Sequence, residues 1–255
     1  MKIKDSKFQF KYFSVAHSKS SMKVGVDGVL IGAWASCYGK NILDVGTGCG
    51  LIALMMAQRN REATIYGIDI DRDSIEEARS NFENSEWRTR LSTELLSFKE
   101  CHEKHTFWRH KFDLIVSNPP FFNSGVKDLD DPRKLARHQG ELSPYSLLSQ
   151  SPSLLTTGGR LSMVVPSIEL KPLYSYGKKN NMLLNRALLI RNKISAEAKR
   201  VLLEFVYEPA YRADNDKGKK YLIKEEDIET LTMFEDSLQP TEEYRLLCEE
   251  FYLKF

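Results

Sequence analysis

The stretch NILDVGTGCGLIALMMAQR, residues 41–59, joins a short apolar run to a longer one through three glycines at alternate positions. The first run is short and ends in turn-forming residues, which is typical of a buried strand. The second run has the length and the apolar face of a helix. Strand, glycine-rich turn and helix in this order indicate an α/β unit in which the helix packs back on a sheet.

The same alternation of strand and helix patterns continues along the chain. Strands are predicted at residues 63–70, 88–93, 111–117 and 160–166, and helices at residues 72–83, 144–159 and 244–255. Apolar runs at 185–192 and 200–208 lie too close together for a parallel crossover, so we expect them to form an antiparallel pair. Alternating elements of this kind predict a mostly parallel sheet that is covered by helices on both faces.

The composition is ordinary for a soluble globular protein, since 42% of the 255 residues are hydrophobic and 28% are charged. No apolar run reaches the roughly 18 residues that a membrane-spanning helix needs. The N-terminus lacks the apolar core of a signal peptide. The four cysteines are widely spaced without a C-x-x-C pair, which favours reduced thiols. We therefore expect a cytoplasmic protein without a membrane partner.

One group of possible metal ligands stands out in the sequence. Cys101, His102, His105 and His110 lie within a stretch of ten residues. Their spacing matches no zinc module, and no second pair of ligands follows. We therefore expect a polar loop at this position and no metal site.

The glycine-rich turn is the first candidate for a ligand site. Gly46, Gly48 and Gly50 allow the chain to turn tightly and a ligand to approach the backbone closely. A dinucleotide site would have two residues between its second and third glycine, and no acid just before the first. Asp44 therefore favours a ligand that carries a positive charge or a free amine over a pyrophosphate.

Two acidic residues and one apolar residue extend this candidate site. Asp69 ends the second predicted strand, where a carboxylate can accept hydrogen bonds from both hydroxyls of a ribose. Ile70 beside it could cover one face of an adenine. Glu94 follows the third predicted strand and could accept a hydrogen bond from the adenine amino group. Together these residues predict a site for an adenosine.

The motif DVGTGCG at residues 44–50, followed by GIDID at residues 67–71, resembles class I S-adenosylmethionine (SAM)-dependent methyltransferases. The resemblance covers nearly the whole chain, so we expect a single domain over residues 1–255. It implies a Rossmann-like α/β fold with a doubly wound, mostly parallel sheet of seven strands whose last strand is antiparallel. It also implies SAM as the cofactor, bound by the candidate residues described above.

The stretch SNPPFF, residues 117–122, follows the fourth predicted strand and resembles the motif of methyltransferases that modify planar amines. The lone pair of such a nitrogen is delocalised, so two acceptors aimed at its N–H groups would expose it to the methyl donor. The Asn118 side-chain oxygen and the Pro119 carbonyl can be those acceptors, since Pro120 has no N–H and holds its neighbour extended. Phe121 offers a face on which a base can stack. We expect these four residues to be catalytic.

The stretch FKYFSVAHSKSSMKVGVDGVLIGAWA, residues 10–35, together with NPPFF, resembles the bacterial tRNA1(Val) (adenine-37-N6)-methyltransferase family. Shorter matches to the family lie at residues 136–138 and 251–253. Val26 stands where the family commonly has Thr. The resemblance implies that the reaction is transfer of a methyl group to the exocyclic N6 amine of an adenine in tRNA.

The same resemblance implies how the chain meets its ligands. Residues 1–40 would close over the cofactor and the target base, with Lys23 and Asp27 at the cofactor. The partner would be the anticodon loop of a tRNA, and we favour a monomeric enzyme. Lys19 and Arg137 are the basic residues that we expect to bind phosphates of this loop, while Phe121 stacks the target base.

Three other functions remain open on the sequence alone. A methyltransferase that acts on N5 of a protein glutamine uses Asn-Pro-Pro-Tyr for the same chemical reason, although the first strand begins near residue 41 and leaves no room for a separate helical domain. Methylation of guanine N2 in ribosomal RNA is a second alternative. The third is a non-catalytic RNA-binding module, which the presence of Asp44, Asp69 and Asn118 disfavours.

Overall fold

The computed structural model of the chain describes residues 7–20, 23–104, 106–120, 142–209, 223 and 227–255. The strands are β1 (Lys7–Gln9), β2 (Ser14–Ala16), β3 (Asn41–Val45), β4 (Thr64–Asp69), β5 (Leu91–Leu95), β6 (Phe112–Ser117), β7 (Leu155–Pro166), β8 (Met182–Arg191), β9 (Arg200–Tyr207) and β10 (Glu229–Thr232). The α-helices are α1 (Val26–Trp34), α2 (Leu51–Arg59), α3 (Arg72–Glu83), α4 (Cys101–Lys104), α5 (Pro144–Leu154), α6 (Leu170–Lys179) and α7 (Glu242–Cys248).

The main sheet of the described chain has eight strands in the order β10-β8-β9-β7-β6-β3-β4-β5. Strand β9 is antiparallel to both of its neighbours, and every other neighbouring pair is parallel. This arrangement confirms the predicted Rossmann-like, mostly parallel α/β fold and the antiparallel pair of β8 and β9. The predicted count of seven strands was one too low, because β10 adds to the outer edge of β8 and follows the antiparallel strand in the chain.

Several predicted boundaries moved by a few residues. The third predicted strand, 88–93, begins later, as β5 at Leu91–Leu95. The predicted helix 144–159 ends at Leu154, two residues after Pro152, and β7 begins directly at Leu155. The predicted helix 244–255 is α7, Glu242–Cys248, which begins two residues earlier and ends seven residues earlier than predicted. The Thr241 hydroxyl caps its start by accepting a hydrogen bond from the Tyr244 N–H. This side-chain cap marks the start of the helix.

The hydrophobic core lies on both faces of the sheet. On one face α1 and α2 pack together with α7 and with Phe10, Phe13 and Val15 of the N-terminal hairpin β1-β2. On the other face α5 and α6 cover the sheet. No helix in the described part of the chain combines the length and the apolar character that crossing a membrane would require.

A buried carboxylate connects α1 to the middle of the sheet. Glu204 of β9 is fully buried and accepts hydrogen bonds from the Ser36 amide and hydroxyl, the Ser162 hydroxyl, and the guanidinium groups of Arg160 and Arg186. Burial raises the pKa of this carboxyl group, but the hydrogen bonds and charges of its partners outweigh burial and lower the pKa to about 2. The chain following α1 is therefore held to three neighbouring strands by one charged side chain.

Candidate active site

The parallel strands bring their carboxyl ends to one edge of the sheet, where ligands bind in open α/β folds. A cavity of about 630 Å³ lies at this edge. Its wall is formed by the glycine-rich turn after β3, the tip of β6, the start of α1 and the ends of β8 and β10. Of the predicted site residues, those that line the cavity are Lys23, Asp27, Gly46, Gly48 and Asn118.

The glycine-rich turn has the backbone conformation that its sequence requires. Gly46, Gly48 and Gly50 have φ values of 70°, 55° and 84°, which lie in the left-handed region. A Cβ atom on Gly50 would also come within 2.5 Å of the Phe82 ring. The turn therefore depends on glycine for its conformation, and it presents bare backbone to the cavity.

Asp44 lies buried beneath this turn and does not line the cavity. Its Oδ2 accepts hydrogen bonds from the Thr47 hydroxyl at 2.7 Å and from the Ala53 N–H at 3.1 Å. Its Oδ1 is buried without a hydrogen-bond partner among the described residues. Burial raises the pKa of Asp44 to about 7, although both hydrogen bonds act to lower it. Asp44 is thus a buried carboxyl group with one unpartnered oxygen, and its predicted role towards a cationic or amine-bearing ligand stays a prediction.

Asp69 stands at the tip of β4 and holds the turn in place. Its Oδ2 accepts the Gly48 N–H at 2.9 Å, and its Oδ1 accepts the Asp71 N–H at 3.0 Å. Each carboxylate oxygen can accept a further hydrogen bond, so the pair can still receive ribose hydroxyls. Ile70 next to it is 76% exposed. Glu94 lies inside β5 opposite Ile68, not after the strand, because that strand begins later than predicted.

Asn118 directly follows β6, and a hydrogen bond fixes the tip of this strand to the neighbouring strand β3. The Ser117 hydroxyl donates to the Val45 carbonyl of β3 at 2.7 Å. The Asn118 Oδ1 is buried and has no hydrogen-bond partner in the described part of the chain. Pro119 is buried and Pro120 is half-buried, while Phe121 lies outside the described residues. The strand end therefore carries a buried, unpartnered acceptor in a residue that lines the cavity.

Residues 16–20, which we call the strap, run along α3 next to the glycine-rich turn. The N–H groups of Ser18, Lys19 and Ser20 all donate to the Glu77 carboxylate, at distances of 2.8, 3.0 and 2.8 Å. Glu77 is only 4% exposed, so the strap backbone satisfies a carboxylate that would otherwise be buried alone. The side chain of Lys19 is exposed, and Lys19 does not line the cavity.

Asn81, one turn further along α3, joins the strap to the glycine-rich turn. Its Oδ1 accepts the Ala16 N–H, and its Nδ2 donates to the carbonyls of Ala16 and Cys49, all at 2.8–2.9 Å. Glu77 and Asn81 are not among the residues predicted from the sequence. One feature of the sequence could have indicated them, because they are two polar residues at positions i and i+4 on the core-facing side of an amphipathic helix.

Lys23 and Asp27 follow the strap and line the cavity from the side of α1. Asp27 lies in the first turn of α1, where a negative charge is favourable, and its Oδ2 pairs with Nε of Arg200 at the start of β9. Arg137, the other predicted RNA-binding residue, lies outside the described residues.

The prediction of a polar loop at residues 101–110 was wrong, because Cys101–Lys104 forms α4, Thr106–Trp108 forms a 3₁₀ turn, and both Cys101 and Trp108 are buried. Cys101 Sγ donates to the Ser97 carbonyl, and His110 Nδ1 lies 2.9 Å from the Leu155 carbonyl oxygen. The His102 side chain and His105 lie outside the described parts. Among the described residues, no group of three or more His, Cys, Asp or Glu is placed to hold a metal ion.

Comparison with known proteins identifies the family. Residues 16–171 match the model of the methyltransferase small domain. The tRNA1(Val) (adenine(37)-N6)-methyltransferase of Phocaeicola vulgatus is 38% identical over 248 residues, which cover 96% of this chain and 97% of the relative. The enzyme of the same name from Christiangramia forsetii is 34% identical over 249 residues, which cover 97% and 98%. The chain belongs to this methyltransferase family. The resemblance seen in the sequence is confirmed.

The fold of this methyltransferase also occurs in distant solved structures. A predicted O-methyltransferase from Agrobacterium tumefaciens has a TM-score of 0.65, with 16% identity over 88% of this chain and 96% of the other. At this identity the likeness concerns the fold alone. This likeness of fold agrees with the mostly parallel main sheet of this chain, in which only β9 is antiparallel to its neighbours.

The Asp69→Ala methyltransferase should bind SAM more weakly. Hydrogen bonds to a charged group contribute about 1.5–3 kcal/mol, which corresponds to roughly a 10- to 150-fold increase in Kd. Titration calorimetry with SAM measures the change. Asp73→Ala is the matched control, because it removes an exposed carboxylate from the first turn of α3. Equal SAM affinity in the Asp69 variant and the wild type would contradict the assignment of Asp69 to the cofactor.

Proposed function

We propose that the protein transfers a methyl group from SAM to the exocyclic N6 amine of an adenine in tRNA, with position 37 of valine tRNA as the target. The observation that carries the proposal is the unpartnered Asn118 Oδ1 at the tip of β6, in the same cavity as the glycine-rich turn. Relatives that are 34–38% identical over nearly the whole chain carry the name of this reaction.

The cofactor contacts come from the loops after β3 and β4. The backbone of the glycine-rich turn would let the cofactor lie close, Asp69 would accept the ribose hydroxyls, and Ile70 would cover the adenine. Glu94 of β5 would accept from the adenine amino group, and Lys23 and Asp27, before and in the first turn of α1, would approach from the other side. An ammonium group near Asp44 would favour its ionised form and lower its raised pKa. SAM, when bound, supplies a methyl group activated by a sulfonium.

The chain's own residues hold the substrate amine. The N6 nitrogen of adenine is planar, and its lone pair is delocalised into the ring. Asn118 Oδ1 and the Pro119 carbonyl accept its two N–H groups and so favour a pyramidal nitrogen with an available lone pair. Pro120 lacks an N–H that could compete for either acceptor. Orientation and exclusion of water carry the catalysis, and no strong base is required.

The substrate would enter as an unstacked base. An anticodon loop presents an adenine at little unpairing cost, whereas a duplex would have to open first. Phe121 would stack on this base, and Lys19 and Arg137 would bind nearby phosphates. Residues 1–40 would cover the cofactor and the base within a single domain, which the attachment of the strap to α3 supports. We place the reaction in the cytoplasm, where tRNA is found, and favour a monomer.

Transfer of label from SAM tests the proposal. Unmodified tRNA, ribosomal RNA and a release factor are each incubated with the protein and labelled SAM. We expect label in tRNA, recovered after digestion as N6-methyladenosine, and less activity as the salt concentration rises. The control is valine tRNA with guanine in place of adenine 37, the position in the relatives' name, which should accept no label. Methylglutamine in protein or N2-methylguanosine in RNA would overturn the substrate assignment.

A further inference from the structure

The cavity continues well past Asn118 to a part of the wall that no cofactor contact explains. This part, which we call the outer wall, includes Asn192 after β8, Lys199 and Arg200 before and at the start of β9, and Met233 and Phe234 after β10. Ile190, Ala196 and one exposed acid, Glu197, line the same part of the cavity. The Phe234 N–H donates to the Asn192 carbonyl at 2.9 Å, so the ends of β8 and β10 form one continuous surface.

The position of the outer wall in the sheet excludes the nucleoside of the cofactor as its occupant. Asp69 ends β4, which lies on one side of β6, whereas β9, β8 and β10 lie two, three and four strands away on the other side. With strands about 4.8 Å apart, the outer wall begins roughly 10 Å from the β6 tip and reaches roughly 19 Å from it. A ligand in contact with both Asn118 and the outer wall therefore extends from the methyl-transfer point away from the predicted adenosine site.

The side chains of the outer wall have the chemistry of a single-stranded nucleotide site. Phe234 provides a half-buried aromatic ring for a base, whereas Met233 is only 7% exposed and belongs to the hydrophobic core. The exposed Asn192 carboxamide offers a donor and an acceptor for a base edge. Lys199 is exposed and provides a positive charge for a phosphate. An aromatic ring, a carboxamide and a basic group together are typical of sites that bind unpaired RNA.

Arg200 adds a guanidinium that is already oriented. Its Nε donates to Asp27 in the first turn of α1, and no hydrogen bond from its two Nη groups occurs among the described residues. Its side chain is 41% exposed. The ion pair thus restricts the rotamers of Arg200 and leaves the end of its planar fork available for a phosphate oxygen.

We propose that the outer wall binds the nucleotide next to the target adenine. Phe234 contacts the face of the neighbouring base, Asn192 contacts its edge, and Lys199 and Arg200 bind its phosphate. The proposal rests on the proposed function, since it requires an RNA substrate. It makes these residues determinants of which sequence around the adenine is methylated.

Two lysines in the same loop provide a matched test. Lys199 lines the cavity and Lys193 does not, so Lys199→Ala and Lys193→Ala remove the same charge from different places. We expect the Lys199 variant to raise KM for tRNA several-fold and to reduce the slope of log KM against log salt by about 0.7, the value for one phosphate of a single strand. The Lys193 variant should match the wild type, and the Kd for SAM should be unchanged in both.

A second variant tests the base contact. Phe234→Leu keeps an apolar side chain against the core and removes the aromatic face, so we expect about a tenfold higher KM for tRNA with an unchanged melting temperature and an unchanged Kd for SAM. Equal tRNA kinetics in the two lysine variants, or weaker SAM binding in the Lys199 or Phe234 variant, would overturn the assignment of the outer wall. A wild-type protein that binds SAM but methylates no RNA would instead overturn the proposed function, and this inference with it.

Discussion

The Asn118→Ala protein should bind SAM and tRNA normally and should transfer the methyl group at least roughly 100-fold more slowly. This is the usual effect of removing one hydrogen bond that is aligned for the transition state. Asn118 Oδ1 has no partner among the described residues, so its removal breaks no hydrogen bond of this oxygen within them. Single-turnover measurements with saturating SAM and tRNA isolate the chemical step from binding.

The neighbouring residue provides the control for this experiment. Ser117→Ala removes the hydroxyl bond to the Val45 carbonyl but keeps the carboxamide of Asn118. If the effect came from loosening the tip of β6, both variants would lose activity to a similar extent. We expect the Ser117 variant to keep most of its turnover. Near wild-type turnover in the Asn118 variant would mean that the two prolines mark only a turn.

The Glu204→Gln protein should be less stable by about 3 kcal/mol, the lower end of the range for breaking a buried ion pair. The substitution keeps the side-chain volume but leaves Arg160 and Arg186 without their anionic partner. The lower end applies because these arginine side chains are 27% and 40% exposed, so water can partly solvate them. Urea unfolding should show a lower midpoint with an unchanged slope. Glu76→Gln, which alters an exposed carboxylate on α3, should leave the midpoint unchanged.

The loss of stability caused by Glu204→Gln should depend on pH. The pKa of Glu204 is about 2 in the folded protein, below its ordinary value of 4.5, so the folded state favours the ionised form. Its contribution is fully present above the ordinary pKa and is lost as the pH falls from 4.5 towards 2. The difference in unfolding free energy between wild type and Glu204→Gln should therefore shrink over this range. A difference that stays constant down to pH 2 would contradict the low pKa.

Features that depend on local sequence were predictable. The glycine-rich turn, Asp44, Asp69 and Asn118 all lie at strand ends, and a strand end is marked by the residues that directly surround it. The order of strands and helices followed from the same local patterns. Glu94 shows the limit of this reasoning, because a shift of a few residues in the predicted strand moved it from a loop into β5.

Features that depend on distant contacts were not predictable. Glu77 meets the strap across 57–59 residues of sequence, and Arg200 meets Asp27 across 173. Strand β10 has only four residues, Glu229–Thr232, and two of them are exposed, so its sequence lacks a clear alternation of apolar and polar positions. Backbone pairing with β8 holds this strand at the edge of the sheet. The local sequence gives no sign of that pairing.

The attachment of the strap to Glu77 determines how this part of the protein can open. Three successive amides share one carboxylate, so releasing any one of them leaves the other two still holding the same charged group. Full release would leave that carboxylate buried without donors, which is costly. In hydrogen–deuterium exchange, the amides of Ser18, Lys19 and Ser20 would therefore exchange together at one slow rate, as a cooperative unit with the face of α3 beneath them.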